Sequence, residues 1–473
     1  MSRFTHSTDL PHRRQEVFDW HELPGAFTRL TPPALAAVVS EPSDGLRVGS
    51  RAKLRLQPAA LLGLVGTGWT ARHTDYQSGV GFTDVMERGP MAHWQHRHTF
   101  SDAIEDGESG CLIRDEVDYA LLPQSLGPVA DKAPQAGRLS ESLVNKQLEG
   151  MFGFRERILI GDLALHAQLA ANPLKIVISG ATGLVGTQLS ALLTTGGHTV
   201  VRLTRSPRPG SDDIGWDPAE GRLDPDDLRG ADAVVHLAGH PIIGRFTEAH
   251  KQKVLRSRTE GTRLLAQALA ELGEDAPHTL VCASASGFYG PDREDEVLNE
   301  ESPSGEGFLA EVCREWERAA DPAREAGIRV VSMRTGLVLS PAGGLLQVQL
   351  PLFAAGLGGR LGDGKQWMPW IGIDDAISGY AHALFTDSVR GPVNLSAPNP
   401  VRGSEFAKKL AAVLHRPALV PVPGFAPSAV LGREATEEFV LAGQRMAPQA
   451  LLSTGFEFRN DQLDGALHHL LCR

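Results

Sequence analysis

Two textures of apolar and polar positions divide the chain. Up to about residue 165, short stretches alternate apolar and polar residues with period two. Arg51-Ala-Lys-Leu-Arg-Leu, Trp69-Thr-Ala-Arg-His, Gly81-Phe-Thr-Asp-Val, His93-Trp-Gln-His-Arg-His-Thr-Phe and Cys111-Leu-Ile-Arg-Asp-Glu-Val-Asp-Tyr are separated by Gly- and Pro-containing turns. Such alternation predicts an antiparallel sheet with one face on a core. A helical pattern follows, roughly Leu139 to Ala171, with apolar positions at Leu143, Leu148, Phe152, Ile158, Ile160, Leu163 and Leu165. Ala171-Asn172-Pro173 ends it, because the residue before proline is driven out of the helical region.

From 174 to about 340 the pattern changes to short, fully apolar runs alternating with helical ones. Strands are predicted at 175–179, 199–204, 232–238, 279–284 and 329–334, with helices such as Glu248–Leu272 and Phe308–Ala326 between them. Runs buried on both faces and separated by helices imply a doubly wound parallel sheet. The remaining segment, 341–473, is rich in Gly, Pro and apolar residues and reads as a smaller helical cap with a few strands. Three regions are therefore expected: 1–171, 174–340 and 341–473. No internal repeat interrupts them.

The first run of the parallel pattern is also the most informative. Lys175-Ile-Val-Ile-Ser-Gly180-Ala-Thr-Gly183-Leu-Val-Gly186 is a β-branched strand, a glycine turn and a helix opening, with Leu189, Leu192 and Leu193 continuing the helical period. A helix N-terminus offers free N–H donors and the positive end of a dipole to phosphate. Gly180 would allow the turn, Gly183 the approach of backbone to a pyrophosphate, and Gly186 close packing of helix on sheet. Thr182, Leu184 and Val185 lie in the same cradle. The next strand ends at Thr204-Arg205-Ser206, where an NAD site places a carboxylate for the ribose 2′-hydroxyl. An arginine there suits a 2′-phosphate, so NADP(H) is predicted over NAD(H). A solvated loop arginine is the alternative.

Composition narrows the classes without changing this picture. The 473 residues exceed one ordinary domain, and 42% hydrophobic with 22% charged residues is a globular balance. A net charge of −11 without a basic run argues against nucleic acid as partner. No apolar run reaches the ~18 residues a membrane span needs, and the N-terminus lacks a charged-then-apolar signal pattern. Cys111, Cys282, Cys313 and Cys472 are scattered without CxxC spacing, which suits a reducing cytoplasm.

Several further motifs bear on family. With the glycine turn, Gly215-Trp216-Asp217-Pro218, Asp232-Ala-Val-Val-His-Leu-Ala-Gly239, Ser284-Ala-Ser-Gly-Phe-Tyr289-Gly290, Arg334-Thr-Gly-Leu-Val-Leu-Ser, Gly356-Leu-Gly-Gly, Gly364-Lys-Gln-Trp367, Trp370-Ile-Gly-Ile-Asp374-Asp375 and Gly443-Gln-Arg occur in order. Over about 174–473 the chain resembles an atypical extended short-chain dehydrogenase/reductase of the nucleoside-diphosphate-sugar-epimerase-like subgroup. The N-terminal part resembles a START-like, polyketide-cyclase-like helix-grip domain, through Arg29-Leu-Thr-Pro-Pro, Gly89-Pro-Met-Ala-His-Trp and Phe152-Gly-Phe-Arg-Glu-Arg.

The resemblance implies roles. Leu237, Ala238 and Gly239 would flank the adenosine and ribose, or simply pack the sheet. Asp217 would accept from the adenine amino group, or cap a turn before Pro218. Arg258 would contact cofactor, or lie on a solvated helix face. Typical members pair a Ser or Thr with Tyr-x-x-x-Lys, in which Lys lowers the Tyr pKa for proton transfer. Here Phe308 or Leu309 stands in place of Tyr, and Val312 or Cys313 in place of Lys. Ser284, Ser286 and Tyr289 remain as candidate catalytic groups at a strand's carboxyl end, with packing as the alternative for Tyr289. Lys365, Trp367 and Trp370 are candidate substrate-pocket liners, with core packing as the alternative for the tryptophans. One of Asp374 and Asp375 is expected to cap the following helix.

His96 and His98 share a strand face that could hold a metal ion, with His93 nearby. No third ligand is evident, and the expectation is that no metal is bound. A sheet wrapped on a long helix encloses a cavity for an apolar ligand, which Leu61, Leu62, Leu64, Val65, Phe82 and Phe100 would line or fill. Three functions follow: an NADP(H)-dependent oxidoreductase or epimerase-like enzyme on a small-molecule substrate, a non-catalytic NADP(H) sensor, or an apolar-ligand carrier with a vestigial reductase.

Overall fold

A computed structural model describes residues 1–57, 67–105, 108–121, 134–169 and 172–473. The chain divides into two compact units. One comprises Met1–Gln168 with Thr194–Gly197 and His469–Arg473, and the other Leu169–Leu193 with His198–His468.

In the first unit, β1 (Ser2–Leu10), helices α1 (Arg14–Glu22) and α2 (Ala26–Arg29), β2 (Ala36–Ser40) and β3 (Ser43–Leu46) precede the strands foreseen from alternation. Those strands are β4 (Arg51–Leu56), β5 (Gly68–Gln77), β6 (Gly81–Arg88), β7 (His93–Glu105) and β8 (Glu108–Ala120). Seven of the eight form one antiparallel sheet in the order β1-β8-β7-β6-β5-β4-β2. Helix α3 (Pro134–Leu169) packs along it. Val144, Leu148 and Phe152 join Trp69, Trp94 and Val117, and Leu159 and Leu163 join Phe82, Phe100 and Ile113. This face is one position away from the sequence expectation in places. Leu143 and Ile160 point outward, 51% and 41% exposed, since neighbouring helix positions are about 100° apart. The predicted end at Ala171 and the predicted liners Leu61, Leu62, Leu64 and Val65 lie outside the described residues.

The second unit opens with β9 (Lys175–Ser179), α4 (Leu184–Thr195), β10 (Thr199–Thr204), β11 (Ile214–Gly215) and β12 (Ala233–His236). Helix α5 (Glu248–Glu271), β13 (Thr279–Ala285), β14 (Asp292–Leu298), α6 (Phe308–Arg318), α7 (Asp321–Glu325) and β15 (Arg329–Thr335) follow. The helix expected over Phe308–Ala326 is two, because Pro322 sits in the first turn of α7 and cannot continue the hydrogen-bond ladder. Segment 341–473 adds three two-residue to three-residue ladders' worth of local pairing. β16 (Leu337–Leu339) pairs with β18 (Trp370–Gly372), and β17 (Trp367–Met368) with β20 (Val401–Arg402). β21 (Gly443–Met446) pairs with β14.

The same segment supplies β19 (Gly391–Leu395) to the main sheet, so it completes that sheet rather than standing as an independent cap. The seven strands are all parallel, in the order β11-β10-β9-β12-β13-β15-β19. Val177, Val234 and Leu280 bury completely against Leu265 and Leu269 of α5. The order reverses direction between β9 and β12. Open α/β sheets bind ligands outside the carboxyl ends of strands at such a switch point.

Candidate functional site

Gly180 leaves β9 at that point with φ of 71°. A Cβ there would lie 2.9 Å from the Ala238 nitrogen and from the Leu237 carbonyl carbon, backbone of the segment leaving β12. On Gly186 a Cβ would lie 2.2 Å from the Gly180 oxygen. Only glycine permits both approaches, so the two strand ends and the start of α4 close together. Ser179 ties them. Its buried hydroxyl accepts from the Leu237 and Ala238 N–H groups at 3.1 and 3.3 Å and lies 2.6 Å from His236 Nδ1. Burial lowers the His236 pKa to about 4, so the ring is neutral at pH 7. Thr182 and Gly183 are exposed beside this turn, with Leu184 and Val185 half-buried at the helix start.

At the end of β10 the Thr204 hydroxyl accepts from the Ser206 N–H at 3.3 Å. Arg205 is exposed and makes no hydrogen bond or ion pair among the described residues. Arg208 differs, since with Arg202 it holds the buried Asp213 carboxylate well below the usual range. Asp217 caps a short 3₁₀ turn, accepting from Ala219 and Glu220 N–H, and also pairs with Arg222 at 3.2 Å. Arg258 lies on no solvated face. It is 7% exposed, donates to the His240 and Val254 carbonyls, and sits under Gly239 and over the Trp316 ring. Its Nε has no hydrogen-bond partner among the described residues.

The candidate catalytic groups separate. Ser284 donates to Glu317 at 2.7 Å, and Glu317 takes both arms of Arg334 at 2.9 Å. Arg334 donates in turn to the Tyr289 hydroxyl, which donates to Asn394 at 2.6 Å. Tyr289 is fully buried, and burial raises its pKa. Its hydroxyl is engaged inside the core, in keeping with the packing alternative for Tyr289. Ser286, half-buried just past β13, makes no hydrogen bond among the described residues.

On α6, Leu309, Val312 and Cys313 are buried, and burial pushes the Cys313 thiol up to about 12. Sequence reasoning missed Glu438, whose carboxylate accepts from the Phe308 and Leu309 N–H groups at 3.0 and 2.9 Å. Only the fold brings it to the helix start.

Of the proposed substrate liners, Trp370 is fully buried and donates to the Asn399 carbonyl, so it belongs to the core. Trp367 is half-buried between Arg402 and Arg445 and donates to Asp295. Lys365 is exposed. Neither Asp374 nor Asp375 is the N-cap of α8 (Ile373–Phe385), a place taken by Gly372. Asp375 instead accepts from the Arg459 and Asn460 N–H groups at 2.6 and 3.2 Å.

The first unit encloses a cavity of about 340 Å³ between sheet and α3, bounded by apolar residues such as Trp69, Trp94, Leu148 and Met151. Phe82 lines it, whereas Phe100 fills the core behind.

A glycine-turned parallel sheet with its crevice at the β9/β12 switch defines a Rossmann-type dinucleotide-binding protein of the short-chain dehydrogenase/reductase kind. Comparison with known proteins makes this specific. Residues 176–395 match the NAD dependent epimerase/dehydratase family, and residues 422–470 match a domain of unknown function, DUF1731. Epimerase family protein Mb2239 of Mycobacterium bovis is 41% identical over 299 residues, covering 63% of this chain and 98% of that protein. Epimerase family protein SDR39U1 of Homo sapiens is 35% identical over 302 residues, 63% of this chain and 100% of that protein.

Solved structures are similar as well. The nucleoside-diphosphate sugar epimerase from Corynebacterium glutamicum is 37% identical with a TM-score of 0.79, covering 99% of this chain and 90% of that one. Human SDR39U1 (isoform 2), solved with NADPH, is 34% identical with a TM-score of 0.56, covering 63% of this chain and 99% of that one. The chain belongs to the NAD dependent epimerase/dehydratase family.

Proposed function

We propose that the second unit binds NADP(H) and acts as an oxidoreductase or epimerase-like enzyme on a small-molecule substrate. The observation that carries this reading is the cradle at the sheet switch, where a Cβ on Gly180 would fill the close approach to Ala238. Gly180, Gly183 and Gly186, with Thr182, Leu184 and Val185, would hold the pyrophosphate at the start of α4. The unpaired guanidinium of Arg205, with Thr204 and Ser206, would take the 2′-phosphate. Leu237, Ala238 and Gly239 would flank the nucleoside, with Arg258 holding their loop from beneath. Asp217 would face the adenine. The human relative solved with NADPH supports the phosphorylated cofactor.

When bound, this cofactor supplies or accepts a hydride at its nicotinamide. Ser286, with a free hydroxyl near the end of β13, is the group best able to bind or protonate a substrate oxygen. Ser284 would keep β13 in place through Glu317. Lys365 and Trp367 would contact the substrate. A second reading, an NADP(H) sensor without turnover, draws support from the apolar residues standing where Tyr-x-x-x-Lys would be. The first unit, in this proposal, is a helix-grip, START-like domain whose largely apolar cavity takes an apolar ligand. Four buried free thiols fit a cytoplasmic setting.

Calorimetric titration of the full chain with NADPH and with NADH tests the cofactor. NADPH is expected to bind tighter, and Arg205→Glu to weaken NADPH by about 10- to 100-fold, the worth of a charge-assisted hydrogen bond, while leaving NADH nearly unchanged. Equal affinities in the wild type would sink the Arg205 assignment. Consumption of NADPH with any member of a carbonyl library separates enzyme from sensor.

A further inference from the structure

We propose that Asp84, His96 and His98, in the first unit, form a site for one divalent transition-metal ion. Strand register builds it. Asp84 on β6 stands directly opposite His96 on β7, and His98 stands opposite Asp115 on β8. Residues two apart on a strand share a face, so His96 and His98 point the same way. Their candidate ligand atoms and that of Asp84 lie within 4.8 Å of one another. Asp84 Oδ2 is 3.6 Å from His96 Nδ1 and 3.9 Å from His98 Nε2. Donors bound at about 2.0–2.2 Å to one ion stand roughly 3–3.5 Å apart, so small side-chain shifts close the site.

The hydrogen bonds behind these residues favour a cation in front of them. Asp115 Oδ1 accepts from His96 Nε2 at 2.9 Å and from His98 Nδ1 at 2.7 Å. Each ring therefore carries its proton on the Asp115 side and turns a lone pair toward Asp84. Two lone pairs and a carboxylate converge, and among the described residues no hydrogen-bond donor lies between them. The half-buried Arg155 lies near enough to act electrostatically on Asp84 and Asp115, but among the described residues its hydrogen bond goes to the Leu30 carbonyl and to neither carboxylate. A carboxylate that orients ligating imidazoles from behind is the usual outer shell of a metal site. His73, opposite Asp84 on β5, adds a buried Nδ1 without a hydrogen-bond partner among the described residues.

Asp84, His96, His98 and His73 all line the cavity, whereas Asp115 does not. The ion's remaining positions would thus open into the chamber and take an oxygen of an amphipathic ligand whose apolar part lies along Trp69, Trp94 and Met151. Three protein ligands with an open position characterise reactive rather than purely structural sites. Two nitrogens and one oxygen suit zinc, iron(II), cobalt(II) or nickel(II) over calcium or copper(I). The sequence showed the two histidines; their third partner became visible only through the β6–β7 register.

The test is Co²⁺ titration of the chelator-stripped full chain by visible absorption, with metal analysis after dialysis and displacement by Zn²⁺. One equivalent per chain is expected. Asp84→Asn and His98→Asn should each weaken it at least tenfold, Asp115→Asn by about 10- to 100-fold, and His93→Asn, on the other face of the strand, not at all. Absence of saturable binding overturns the proposal, as does binding unchanged by Asp84→Asn and His98→Asn. Wild-type crystals soaked in Zn²⁺ decide the matter should those variants fail to fold. Anomalous density among the three side chains supports the site, and density only elsewhere overturns it.

Discussion

Glu317 shows how much of the candidate site is held by one side chain. It accepts from Ser284 and from both arms of Arg334, whose side chain is only 5% exposed, and Arg334 also lies 3.4 Å over the Phe288 ring. Removing the carboxylate would leave a buried guanidinium unpaired, a change that costs about 3–5 kcal/mol. Glu317→Ala should therefore lower the urea midpoint strongly, and Glu317→Gln, which keeps the shape and one acceptor, should lower it less. Equal midpoints for wild type and Glu317→Ala would show that Arg334 finds water or another acceptor. At this scale the sequence was legible where backbone geometry alone dictates the residue, as at Gly180 and Gly186. It was not legible where the partner comes from a distant strand or helix. Ser284, Ser286 and Tyr289 are equivalent candidates on paper, and only the contacts of Glu317 and Asn394 tell them apart.

The elements of the parallel sheet follow the sequence closely. Predicted strands at 175–179 and 199–204 coincide with β9 and β10, because β-branched runs buried on both faces have few other fates. Two members escaped notice for the opposite reason. β11 is two residues long, and β19, Gly-Pro-Val-Asn-Leu, reads as a loop until β15 pairs with it. β1 was likewise hidden, since its inward Thr8 is polar although buried. Helix α6 illustrates the same dependence. Its N-cap residue is Gly307, with no side chain to accept from the first turn, and Glu438 does so from far along the chain. Glu438→Ala should lower stability by about 0.5–2 kcal/mol, as loss of a helix cap does. Thermal unfolding of the full chain measures it, and an unchanged melting temperature would mean that water replaces the carboxylate at no cost.

One carboxyl should contribute a distinct pH dependence to the stability of the whole molecule. Asp375 is 1% exposed, and burial outweighs its two backbone donors, raising its pKa from 3.8 to about 7. A raised carboxyl pKa means that the folded state keeps a proton which the unfolded chain has already released. The folded state then binds more protons between about pH 4 and 7, so stability contributed below pH 4 is lost as pH rises through 7. Each pH unit in that window is worth up to about 1.4 kcal/mol. Asp375→Asn removes the titrating group while keeping an acceptor for Arg459 and Asn460. Buried histidines such as His236 act in the opposite sense over part of this window, so the difference between the two proteins is the readout: from pH 4.5 to 7.5 the urea midpoint of the wild type should drop relative to that of Asp375→Asn, with the gap widening toward neutral pH. Parallel curves would show that Asp375 is ionised in the folded chain across the whole range, and that the two N–H donors outweigh its burial.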